Sequence, residues 1–80
     1  MTPAQADAAI KDALGQVAPG SDMASVPADA DLRETLELDS LDFLRFVEIL
    51  SERTGRRIDE DDYPQVATLA SGVTFLAGSA

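Results

Sequence analysis

Cysteine, histidine and tryptophan are missing from the 80 residues, and positive charge is scarce: six Lys and Arg stand against fifteen Asp and Glu, a net charge of −9. Without cysteine there is no disulfide, no thiolate zinc site and no thiol nucleophile. Without histidine there is no imidazole to serve as a general base. The negative excess argues against nucleic acid and anionic membrane as partners and favours basic protein surfaces. No apolar run approaches the ~18 residues of a membrane span, and no basic start leads into an apolar segment. No membrane insertion and a cytoplasmic location are therefore expected. Thirteen of the apolar residues are alanine, leaving 23 larger side chains, with aromatics limited to three Phe and one Tyr. That suffices for one small helical domain but not for a deep enclosed active site, so a monomeric protein without catalytic residues of its own is expected.

What is present reads as helix. Thr2-Pro3-Ala4-Gln5 is a capping box with proline at the first helical position, and it opens a helix over about 3–17. Ala6, Ile10, Ala13, Leu14 and Val17 share its narrow apolar stripe, and Pro19-Gly20 ends it. The segment 18–39 is too long for an ordinary connection. Met23, Val26, Leu32, Leu36 and Leu38 can tether it, and Asp31-Leu32-Arg33-Glu34 has the pattern of a single capped helical turn, although Pro27 and the alanines also suit a flexible acidic linker.

The strongest pattern begins at Leu36-Glu37-Leu38-Asp39-Ser40-Leu41-Asp42-Phe43. Asp39 is a favoured N-cap for an amphipathic helix over about 40–54 that ends before Gly55, which places Ser40 at its first position. Backbone N–H groups are unpaired there and the macrodipole is positive, so an anion carried by Ser40 is favoured by roughly 0.3–1 kcal/mol when exposed. Phe43, Phe46, Val47 and Leu50 form the inward stripe, with Leu44 on its flank. The opposite arc carries Asp42, Arg45, Glu48, Glu52 and Arg53, together with Leu41 and Ile49, both expected to be exposed. Apolar anchors inside a charged rim describe a protein-docking face.

Beyond Gly55, Asp59 can cap a short helix over about 59–64, which Tyr63-Pro64 must break or end. The acidic run Asp59-Glu60-Asp61-Asp62 lacks the alternating spacing of a calcium loop, so no metal site is assigned. A last helix over about 68–77 has Thr68 as its cap and Leu69, Val73 and Leu76 inward, with Phe75 flanking; it should fold only by docking.

Asp39-Ser40-Leu41, read with the chain length, the acidity, the long first loop, the apolar spacing after Ser40 and the run Ile58 to Asp62 before a last short helix, resembles the acyl carrier protein family. In that family 4′-phosphopantetheine is attached to the serine of an Asp-Ser-Leu motif at the start of the second helix. The resemblance covers nearly the whole chain. It implies an all-α fold, a small four-helix bundle of acyl-carrier type with three main helices, one short helix and a long first loop. It also implies a covalent 4′-phosphopantetheine from coenzyme A on Ser40, with Asp39 and Leu41 as motif neighbours. The implied partners are a phosphopantetheinyl transferase and acyl-loading and acyl-transferring enzymes with basic patches, meeting Leu41, Asp42, Arg45, Glu48, Ile49 and Glu52.

Family members can fold an acyl chain between their helices, which makes Phe43, Phe46, Val47, Ile58, Tyr63, Leu69 and Val73 candidates for lining a modest cavity; each also reads as simple core filling. Arg45 stands where fatty-acid-synthesis carriers look acidic, Ser51 replaces another common acidic position, and Glu48 stands where an apolar contact is usual. A specialised free-standing member is therefore expected. No base in the sequence activates Ser40, so it is not a nucleophile in its own right. The expected role is to hold acyl intermediates as thioesters for enzymes of fatty-acid, lipid or polyketide-like synthesis. A peptidyl or aminoacyl carrier, or an unmodified acidic helical adaptor, is the alternative.

Overall fold

The computed structural model describes residues 1–78, and helices make up its regular structure: α1 (Pro3–Val17), α2 (Leu32–Thr35), α3 (Ser40–Thr54) and α4 (Leu69–Ala77), with 3₁₀ turns over Met23–Ser25 and Glu60–Val66. This is a small all-α bundle. Thr2 caps α1 reciprocally: its hydroxyl accepts from the Gln5 N–H at 3.1 Å, and the Gln5 side chain accepts from the Thr2 N–H at 2.9 Å. Ala6, Ala9, Ile10, Ala13 and Leu14 are the buried face, so α1 is thin enough to pack against both α3 and α4. Phe46, Ile10, Leu14, Leu32, Leu50 and Val66 are sealed from solvent at the centre. Among the described residues no polar or charged side chain is buried, which confines polar chemistry to the surface.

The long segment after α1 is ordered rather than a loose linker. Leu32 and Leu38 are buried, while Met23, Val26 and Leu36 pack against the core from its edge. The Asp22 carboxylate accepts from the Ser25 hydroxyl and the Ala24 N–H, and these bonds hold its pKa below the ordinary value. Backbone bonds then stitch the segment to the last helix. The Leu32 N–H donates to the Ala67 carbonyl at 2.8 Å, the Ala70 N–H donates to the Ala28 carbonyl at 2.9 Å, and Asp31 and Thr68 form an isolated antiparallel bridge.

Two details depart from the expectations above. The short third helix is a 3₁₀ segment that continues through Pro64 to Val66 instead of stopping at Tyr63-Pro64. Val66 is buried and Tyr63 packs edge-on to Phe43, so side-chain anchors carry the turn past a residue that an α-helix would not tolerate. In α4 the buried residues are Leu69, Gly72, Phe75 and Leu76, while Val73 is half-buried. Gly72 lets α4 approach α1, since a Cβ there would stand 2.9 Å from Ile10 Cδ1.

Candidate functional site

Local sequence fixes how Ser40 is presented. Asp31 caps α2 by accepting from the Glu34 N–H at 3.1 Å. The helix then closes in a Schellman arrangement: the Leu38 N–H reaches the Arg33 carbonyl at 2.8 Å and the Glu37 N–H reaches the Glu34 carbonyl at 3.4 Å. Glu37 takes the left-handed position that such a turn requires, with φ 55°. Leu38 is buried, and the chain emerges with Asp39 as the cap of α3 and Ser40 as its first residue, both exposed.

Ser40 is not alone at that corner. The Arg33 guanidinium donates to Ser40 Oγ at 3.3 Å, and its carbon lies 5.5 Å from the centre of the Phe43 ring. Phe43 is in turn held by Phe46, 5.8 Å away, and by Tyr63, 5.6 Å away in edge-to-face contact. Asp31, Arg33, Ser40, Phe43, Leu44, Tyr63, Pro64 and Ala67 surround an open groove of about 400 Å³. Phe43 and Tyr63 give it an aromatic wall, and Ser40, Arg33 and Asp31 bring a hydroxyl, a cation and a carboxylate to it.

Of the seven residues considered for a cavity lining, Phe43 and Tyr63 border this groove. Phe46, Val47, Ile58 and Leu69 are buried in the core and Val73 is half-buried; none of the five borders it. Helical angle alone does not separate a ring at the edge of the core from one at its centre. On α3, Leu41 is 76% exposed and lines a shallow depression with Asp42, Leu44, Arg45 and Glu48. Ile49, expected to be exposed, is half-buried against the core and borders a separate depression with Gln16, Glu52 and Arg53. The cause is α1, which packs alongside α3 and brings Gln16 next to Ile49; the exposed pair Arg53–Asp12, at 2.7 Å, lies at the edge of this contact. Ser51, in place of an acidic residue, donates to the Arg56 carbonyl at 2.7 Å and steadies the turn after the helix.

Sequence reasoning missed Arg33, Asp31, Leu44, Pro64 and Ala67 as neighbours of Ser40. One signal was available. Arg33 is the sole basic residue between Lys11 and Arg45, in a stretch that is otherwise acidic or neutral.

An all-α bundle that offers an exposed serine at the head of a long helix, beside a groove and with no buried polar side chain among the described residues, is a domain suited to presenting something at its surface. The chain belongs to the family described as phosphopantetheine attachment site, which matches residues 8–76. Members of this family carry a covalently attached 4′-phosphopantetheine and work with a phosphopantetheinyl transferase and partner enzymes. A comparison with curated proteins found no significant match. The residues at the corner suit the group: the hydroxyl is exposed, a guanidinium stands within hydrogen-bond distance of it, and open space adjoins both. No helix among the described residues is long and apolar enough to cross a membrane.

Proposed function

We propose that this protein is an acyl carrier whose 4′-phosphopantetheine arm is attached at Ser40, and that it presents acyl thioesters to enzymes of fatty-acid, lipid or polyketide-like synthesis. The observation that carries the reading is the exposed Ser40 within Asp39-Ser40-Leu41, at the first turn of α3 and on the rim of an open groove. When bound, the group supplies the thiol that the chain lacks. Ser40 Oγ forms the new bond to phosphorus as the pyrophosphate of coenzyme A breaks; adenosine 3′,5′-bisphosphate leaves, and the proton passes to a base of the transferase. The chain's own contribution is placement, which dominates phosphoryl transfer. Asp39 fixes the helix start, Leu38 anchors the approach from the core, and the unpaired N–H groups of the first turn favour the new negative charge.

Leu41, Asp42, Arg45 and Glu48 form the face that meets partner enzymes, with Ile49 and Glu52 continuing it along α3 towards α1. An apolar anchor at Leu41 within mixed charges suits a brief, specific encounter. The acidity, the Asp-Ser-Leu form and the aromatic groove favour acyl over aminoacyl cargo.

Intact mass after incubation with coenzyme A and a phosphopantetheinyl transferase tests the attachment. A gain of one phosphopantetheine that disappears in Ser40→Ala is expected; no gain, or a gain that survives the substitution, defeats the reading. Loading trials with acyl-activating and amino-acid-activating enzymes then separate the two cargo classes.

A further inference from the structure

We propose that Arg33 is a positioning residue that clamps the phosphodiester linking the arm to Ser40, so that the arm leaves the protein along the Phe43–Tyr63 groove; this inference rests on the attachment proposed above. A phosphodiester at Ser40 brings a permanent negative charge to a corner already occupied by Asp39 and Asp42, with Glu34 and Glu37 close in sequence. Arg33 is the basic side chain that contacts the serine, at 3.3 Å. Lys11 pairs with Asp7, Arg53 with Asp12 and Arg57 with Asp59, and Arg33 takes part in none of these three pairs.

Its guanidinium is nevertheless not loose. It stands over the ring of Phe43, which is buried and fixed by Phe46 and Tyr63. The carbonyl of Arg33 is tied to Leu38 in the turn that delivers Ser40, so the cation and the hydroxyl are set by one short loop. A planar guanidinium can donate two parallel N–H bonds to the non-bridging phosphate oxygens while keeping its stack on the ring, which an ammonium cannot do. With the phosphate held on the Arg33 side, the arm begins over the groove and is turned away from the exposed apolar Leu41.

The experiment uses protein loaded from coenzyme A by a phosphopantetheinyl transferase, with loading verified by intact mass, and compares wild type with Arg33→Lys and Arg33→Gln. The readouts are the ³¹P resonance at low and high salt and the hydrogen exchange of the Arg33 Nε–H before and after loading. In wild type the Nε–H exchange slows about tenfold on loading, the order expected of a charge-assisted hydrogen bond. The phosphorus resonance differs from that of a phosphopantetheinyl-serine peptide and moves towards it as salt rises. Arg33→Gln takes it to the peptide value at every salt concentration, and Arg33→Lys restores only part of the difference. An arginine that merely stacks on Phe43 would change the melting temperature of the unloaded protein and leave phosphorus unmoved. Identical resonances in wild type and Arg33→Gln, with unchanged Nε–H exchange, overturn the clamp while the carrier reading stands. Failure of wild type to load removes both.

Discussion

Asp39 and Asp42 close the first turn of α3 on each other: the Asp39 carboxylate accepts from the Asp42 N–H at 2.7 Å, and the Asp42 carboxylate accepts, at a longer 3.5 Å, from the Asp39 N–H. Two acids stand where a capping box usually pairs a hydroxyl with a longer acid or amide. The turn is thereby closed from both ends, and Ser40 inherits its orientation. Asp39→Ala should cost about 1 kcal/mol in urea unfolding, whereas Asp39→Asn, which keeps the acceptor oxygen, should cost much less. If Ser40 depends on this cap, arm transfer to Asp39→Ala should also slow more than transfer to Asp39→Asn.

Glu37 carries a backbone conformation that glycine adopts without strain, with φ 55°. Glu37→Gly should raise stability by about 0.5–1 kcal/mol, the relief of left-handed strain less the extra chain entropy that glycine loses on folding. A β-branched residue there should do the opposite. Denaturant midpoints for Glu37→Gly and Glu37→Val, compared at equal slopes, check the sign of each.

Gly72 and Ile10 share one contact between α4 and α1. Gly72→Ala gains about 1 kcal/mol of helix propensity but forces the end of the Ile10 side chain to move, an overpacking cost of about 1–3 kcal/mol. Ile10→Val removes the Cδ1 atom in the way. The two substitutions should therefore be non-additive, with the double variant roughly 1 kcal/mol more stable than the sum of the singles. An additive cycle would show that the helices have room to separate.

Much of this bundle is legible in the sequence because its signals are local. The Thr2 box, the Asp31 cap, Asp39 before Ser40, Thr68 before Leu69 and the stripe of Phe43, Phe46, Val47 and Leu50 all act over one or two helical turns, where spacing maps directly onto geometry. The surroundings of Ser40 are less legible because they assemble from three segments. Arg33 arrives from α2, and Tyr63 and Pro64 arrive from the 3₁₀ turn, so no spacing within one segment announces them. Ile49 misled for a related reason: its angle on α3 faces outward until α1 is laid alongside. The same holds for Pro64, which reads as a stop and yet lies inside a turn whose anchors, Tyr63 and Val66, act through tertiary contacts.

The proposed docking face makes a kinetic prediction. Glu48 and Glu52 are both exposed, so Glu48→Lys with Glu52→Lys should leave the fold intact while slowing encounter with a basic partner enzyme. The loss should be largest at low ionic strength and shrink as salt screens the charges. Stopped-flow transfer rates across a salt series check it, and rates that change equally at every salt concentration would point to a contact role instead of steering.

The bonds from Leu32 to Ala67 and from Ala70 to Ala28 give the bundle a seam that joins its longest connection to its last helix. The first turn of α4 and the stretch that leads to Ser40 therefore hold each other through main-chain atoms, which no side-chain substitution removes outright.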